Sequence, residues 1–364
     1  MMKHAAIRLL LLITFLSHQL ALGKADDEQN TSLLVAISQG QTERVKELIQ
    51  TADLNPIDKE GWTPLMIATY SYKDSTDIIE LLITAGAKVN QPDDKSWTPL
   101  MVAIYKKDAD LVSFFLTQGA QTDFFIKSGG WSPLTWAAWN GLTNITELLL
   151  NAKADPDLSH NDSGMSPLLM AVSEGKIDTV RVLLDGKANP DLPSQTGMTP
   201  LNLAANKGMA DIVKALLDGK ANPDLPDNSG ITPLNWAAYK GNPDIVQALI
   251  TAKADPNLAD DKGCTPLNWA ANKGHVQIAI DLLRAGANPD LADIDGYTPI
   301  SWAAYRGDMD LVQALIEAKA DLNPVDHDGQ SPLMLAEEKG HSDIAKRLRE
   351  HGAVRSGTER ETKE

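Results

Sequence analysis

The side chains best placed for chemistry in this 364-residue sequence are tryptophans and cations set four residues apart. Trp236 and Lys240, Trp269 and Lys273, and Trp302 and Arg306 recur at an interval of 33 residues. On a helix, positions i and i+4 share one face, so each pair sets an aromatic platform beside a positive charge. The basic line continues through Lys106, Lys207 and Lys339. A neighbouring line holds Tyr70, Tyr105, Trp139, Tyr239 and Tyr305, and Trp62, Trp97, Trp131 and Tyr297 stand further upstream in their segments. Aromatics make up only 5% of the chain, so their concentration at these registers is a pattern rather than a background. Two readings follow. The rings and cations form a binding surface for an acidic or aromatic-rich partner. Alternatively, the tryptophans are packing residues, with the cations solvated or paired to turn aspartates.

Other chemistry is sparse. Beyond residue 23 the histidines are His160, His275, His327, His341 and His351, without the spacing of a metal site or a nucleophile's base. Gly-rich phosphate loops are absent. Asp293, Asp295, Asp326, His327 and Asp328 lie on successive turns, but a calcium loop needs more oxygen ligands and a distal Glu. They read as solvated turn residues, so neither a metal nor another cofactor is expected. The single cysteine, Cys264, excludes an internal disulfide and reads as a tolerated small residue.

These side chains are carried by a repeated element. One string recurs from Thr63 (TPLMIA), Thr98, Ser132, Ser166, Thr199, Thr232 and Thr265 (both TPLNWA), Thr298 and Ser331, at spacings of 35, 34 and 34 and then a constant 33. A degenerate copy begins at Thr31 (TSLLVA). A fixed period of this size marks a solenoid, in which no unit buries its apolar face alone. Thr or Ser predicts a helix cap, worth about 1 kcal/mol. The Pro that follows suits the first helical position. Ile300, Ala303 and Ala304 form one apolar face, and Gly307 ends the helix. Extra residues near Ser71 to Asp74, Phe124 to Gly129 and Ser159 to Ser163 map to loops, either as binding features or as neutral insertions.

The string Gly263 to Asp290, GCTPLNWAANKGHVQIAIDLLRAGANPD, resembles the ankyrin repeat. The resemblance covers about Thr31 to Ala353, as ten units. It implies an all-α repeat solenoid of helix–turn–helix units with short β-hairpin loops, a non-catalytic role, and a protein partner held in a concave groove and at hairpin tips. On that resemblance the partner-binding residues are Tyr105, Lys106, Trp139, Lys207, Tyr239, Lys240, Lys273, Tyr305 and Arg306, with Trp62, Trp97, Trp131 and Tyr297 at the tips. His275 and His341 occupy the family's structural Gly-His position. The family's His after Thr-Pro-Leu is replaced by Asn202, Asn235 and Asn268, which are expected to bond a neighbouring loop.

Residues 1–23 read as a signal peptide: Lys3 and Arg8, an apolar run from Leu9 to Leu16, then Ala21-Leu22-Gly23. That run is shorter than the ~20 residues of a membrane span. Residues 24–30 read as a linker, 31–353 as the repeat domain, and 354–364 as a charged tail. Removing the first segment leaves 31 of the 33 basic residues against 49 acidic ones, a net charge of −18. That charge disfavours nucleic acid and anionic membranes. The expectation is an exported monomer without a membrane span after cleavage. A periplasmic scaffold is favoured, with a secreted effector or toxin-neutralising protein as the alternative.

Overall fold

The computed structural model describes residues 28–55, 58, 61–71, 76–127, 129–159 and 163–355. The expected signal peptide, residues 24–27 and residues 356–364 of the tail lie outside them. The described residues form twenty α-helices and no strand, in two compact units, residues 1–163 and 164–364. The first unit holds α1 (Glu28–Ser38), α2 (Thr42–Leu48), α3 (Pro64–Ser71), α4 (Thr76–Thr84), α5 (Pro99–Lys106), α6 (Ala109–Thr117), α7 (Pro133–Asn140) and α8 (Thr143–Asn151). The second holds α9 (Pro167–Ser173), α10 (Ile177–Asp185), α11 (Pro200–Asn206), α12 (Ala210–Asp218), α13 (Pro233–Lys240), α14 (Pro243–Thr251), α15 (Pro266–Lys273), α16 (Val276–Arg284), α17 (Pro299–Arg306), α18 (Met309–Glu317), α19 (Pro332–Glu338) and α20 (Ser342–Glu350). Odd-numbered helices are the first of each repeat.

From α3 onward every first helix opens on the proline after the capping Thr or Ser. Thr265 Oγ1, for instance, accepts from Asn268 N at 3.2 Å. The helix closes on Gly274 in the left-handed region, φ 75°. The paired alanines Ala237, Ala238, Ala270 and Ala271 are wholly buried, as are Leu249 and Leu282 of the second helices. Small residues between first helices and leucines between second helices thus form the core of the stack.

α1 departs from the expectation. It starts at Glu28, so positions 28–30 are helical rather than linker, and Thr31 lies inside the helix instead of capping it. The residue after Thr31 is Ser32, not proline. A proline there would disfavour helical backbone at the residue before it, and without one the helix extends by a turn.

Among the described residues the hairpin loops contain no strand. The regular fingers close with two backbone bonds, as from Asp293 N to Tyr297 O at 3.0 Å and from Gly296 N to Asp293 O at 2.9 Å. Consecutive fingers are tied along the stack: Asp261 N donates to Ser229 O at 3.1 Å, Ile294 N to Lys262 O at 2.9 Å, and His327 N to Asp295 O at 3.1 Å. A second tie uses the Asn/Asp after each second helix. Asp224 Oδ1 accepts from Asp255 N at 2.9 Å and Asn257 Oδ1 from Asn288 N at 2.7 Å. The extra residues at Phe124 to Gly129 bury Ile126, whose N–H bonds Trp131 O at 2.9 Å, so this insertion is packed in place.

Candidate functional site

In the second unit the first helices and fingers bring the tryptophan and basic lines together. Four of its fingers begin with an aspartate, Asp227, Asp260, Asp293 and Asp326, that accepts from its own backbone two and four residues on. Asp260 Oδ1 receives Lys262 N and Cys264 N, both at 2.9 Å. Its Oδ2 receives the indole Nε1 of Trp269 at 2.9 Å. Asp293 with Trp302 (3.1 Å) and Asp227 with Trp236 (3.3 Å) repeat the arrangement. The tryptophans therefore lock fingers onto helices, which favours packing for the indole N–H edges. Asp293, expected as a solvated turn residue, and its counterparts Asp227 and Asp260 are thus structural anchors for the indoles. Their signal is a constant offset of nine residues, Asp to Trp, in three successive Asp-x-x-Gly turns, at Asp227, Asp260 and Asp293.

The asparagines behave as expected. Asn268 Nδ2 donates to Leu291 O at 3.0 Å and Tyr297 O at 3.2 Å, bridging to the next finger. Asn202 Nδ2 reaches Leu225 O at 2.8 Å. His275 Nε2 lies 3.3 Å from Tyr239 O, and His341 Nε2 lies 3.2 Å from Tyr305 O, so both rings link adjacent repeats.

The basic line divides in two. Lys106 Nζ donates to Thr69 O at 2.8 Å, and burial lowers its pKa. Lys207 Nζ donates to Ser173 O at 2.6 Å, and Arg306 donates to Asn272 O and Asp308 Oδ2, both at 3.1 Å. These three neutralise carbonyls near the end of the preceding first helix, where cations are favoured. Arg306 is thereby drawn off the Trp302 face on which the i, i+4 spacing placed it. Lys240 and Lys273 stay over rings. Lys240 Nζ is 6.0 Å from the Trp236 centroid and 5.7 Å from Tyr239, and Lys273 Nζ is 4.6 Å from Tyr239 and 5.8 Å from Trp269. Lys339 takes the same place over Tyr305, at 4.7 Å. The shorter contacts run from one repeat's cation to the preceding repeat's tyrosine.

Tyr239 stands edge-on to Trp269 at 5.0 Å and to Trp236 at 6.1 Å. These three rings, with Ile231, Lys240 and Lys262, wall a pocket of about 530 Å³. Tyr305 is 40% exposed, one of three large hydrophobic side chains so open among the described residues, with Ile294 and Val325. Tyr297 is half-buried and stacks on Trp302 at 4.6 Å. Burial, then the neighbouring Asp326 carboxylate, pushes its phenol up to about 12.

The first unit differs. Trp62 and Trp97 are buried, 9% and 6% exposed, so these two do not present a contact surface. They pack edge-on against Tyr70 at 5.4 Å and Tyr105 at 6.0 Å. Trp131 and Trp139 lie 4.9 Å apart and both approach the buried Trp136. This half of the aromatic pattern is chiefly core, with Tyr105, Trp131 and Trp139 half-buried.

The turn acids on which a metal was weighed are engaged with backbone. Asp293 Oδ1 accepts from Asp295 N and Tyr297 N, and Asp326 Oδ1 from Asp328 N and Gln330 N. Among the described residues no three His, Cys, Asp or Glu side chains are grouped to hold a metal. Burial, reinforced by Asp260, pushes the Cys264 thiol up to about 12, which leaves little reactive thiolate near neutrality.

The model of a family described as ankyrin repeats in three copies matches residues 3–93, 71–160, 144–227, 203–293 and 267–356. The chain belongs to the ankyrin-repeat family. No individually curated protein matches it. Ankyrin repeats serve as protein–protein interaction scaffolds and are generally non-catalytic, so the expected fold class and its general role hold. Among the described residues of this ankyrin-repeat chain, no helix is long and apolar enough to cross a membrane.

Proposed function

We propose that this chain is a monomeric, non-catalytic scaffold that works outside the cytoplasm. It binds a protein partner on the first helices and fingers of its second unit, with Tyr239, Lys240, Lys273 and Tyr305 as contacts. One observation carries this reading. Lys106, Lys207 and Arg306 are consumed by neighbouring carbonyls, whereas Lys240 and Lys273 rest on aromatic faces with their charges outward. Desolvated aromatic and cationic anchors of this kind dominate interface energies. Tyr305 adds an exposed ring over which Lys339 lies. The proposal for the compartment rests on the basic, apolar and small-residue order of residues 1–23.

Site-specific photo-crosslinking in the native cell tests the face. A benzophenone amino acid at Tyr239 or Tyr305 is expected to give a discrete protein adduct. The same group at Gln277, exposed on a second helix, is expected to give none. Equal labelling from all three positions, or from Gln277 alone, overturns the reading. Fractionation of the same cells checks the compartment: recovery of the full-length, unprocessed chain in the cytoplasm contradicts export.

A further inference from the structure

We infer that the pocket between α13 and α15 recognises an acidic, extended peptide segment. A carboxylate side chain of that segment lies between Lys240, Lys262 and Lys273, and the apolar or aromatic side chain next to it fills the cavity. This inference rests on the proposed binding face and names its partner's chemistry.

The first support is an imbalance of charge. The chain has 49 acidic residues against 33 basic ones, so an exposed lysine has many potential partners. Arg44, Lys46, Arg284 and Lys339 each pair with a carboxylate. Among the described residues Lys240 and Lys273 have only ring contacts, with no hydrogen bond or ion pair. A stacked ammonium keeps its outward N–H groups for an acceptor, and the ring holds it in place before binding.

The second support is that the finger aspartates Asp260 and Asp227 are already committed. Asp260 is 7% exposed, and both its oxygens are engaged, with two backbone N–H groups and the Trp269 indole. Asp227 is likewise held by Ser229 N, Ile231 N and Trp236. Asp261 turns its carboxylate toward Gly230 of the preceding finger. The lining thus pairs the lysines Lys240 and Lys262 with Asp260 and Asp261, and Lys273 adds a third ammonium over the Tyr239 and Trp269 rings.

The third support is shape. About 530 Å³ walled by Trp236, Tyr239, Trp269 and Ile231 accommodates one large side chain and its backbone. An extended segment, which sends alternate side chains to opposite sides, can seat one residue here and run along the fingers. Rings and lysines would also suit a single-stranded nucleic acid. The chain's net charge of −16 opposes a polyanion as a whole and tolerates a short acidic stretch.

Selection of displayed random nine-residue peptides on the purified chain tests this. Enriched sequences are expected to place Asp or Glu beside Phe, Tyr, Trp, Leu or Ile. For the best synthetic peptide, amidating that acid is expected to weaken binding about tenfold, the scale of one charge-assisted hydrogen bond. Lys240→Gln with Lys273→Gln is expected to weaken it at least as much while leaving the urea midpoint unchanged, and added salt should weaken it further. The inference is overturned by enrichment without acids, by no enrichment, by indifference to the lysine changes, or by a dT12 oligonucleotide that binds more tightly than any peptide. If crosslinks form at Tyr239 yet acidic peptides fail, the binding face stands and its acidic specificity falls. If both fail, the face itself is wrong.

Discussion

The finger aspartates decide what the tryptophans are for. Asp260 joins three N–H donors, two from its own turn and one from the indole of Trp269, in a site 7% exposed. Removing the carboxylate strands all three, and each unsatisfied buried donor costs about 1–3 kcal/mol. Removing the indole N–H leaves Asp260 with both backbone donors. Asp260→Ala is therefore expected to destabilise the chain by about 3 kcal/mol or more, and Trp269→Phe by about 1–2 kcal/mol, in urea unfolding. A Trp269→Phe variant with unchanged stability would show that the indole bond contributes nothing to the fold. The same logic separates the cations. Lys106, with its ammonium on Thr69 O, belongs to the fold, and Lys240, with only rings around it, belongs to the surface.

Helix boundaries were the most legible feature of the sequence because two residues set them. Thr or Ser caps and Pro starts, and from α3 to α19 the first helices begin where that pair stands. Thr31 misled because the cap was read without its proline. The candidate site was half legible. Spacing placed Lys240 and Lys273 on the faces of Trp236 and Trp269, but a four-residue offset is blind to the next repeat, and Arg306 was taken by Asn272 O across that gap. The ends of the second helices were not legible at all. Lys153, Lys187, Lys220, Lys253 and Lys319 sit in the left-handed region, φ 61–70°, where Gly86, Gly119 and Gly286 stand in other repeats. A side chain there costs about 1–2 kcal/mol. A cation at a helix C-terminus returns about 0.3–1 kcal/mol, so strain wins narrowly. Lys253→Gly is expected to stabilise by about 0.5–1 kcal/mol. Lys253→Ala keeps the strain, loses the cation and should destabilise; if alanine stabilises as much as glycine, the left-handed backbone is not the cause.

At the scale of the whole chain, stability is a sum of repeats and of the ties between neighbours. In the second unit those ties recur almost without change. Fingers are joined through Asp261 N to Ser229 O, Ile294 N to Lys262 O and His327 N to Asp295 O. Asn/Asp side chains repeat a second bond at Asn222 to Asp191, Asp255 to Asp224, Asn288 to Asn257 and Asp321 to Asp290. The first unit is less regular. Its α1 has no proline start, and its repeats are spaced by 35, 34 and 34 residues instead of 33. Opening one repeat in the regular stretch breaks two sets of ties at once, whereas α1 and α2 stand at the end of the described array and open at lower cost. Backbone amide exchange is therefore expected to be slower in Ser166 to Asp328 than in Thr31 to Gly130, with the slowest amides in α13 to α17. Mass-spectrometric exchange on the intact chain reads this directly. Faster exchange in the regular stretch would mean that the repeated ties add little, and that stability resides instead in the aromatic cluster of Trp97, Trp131, Trp136 and Trp139 in the first unit.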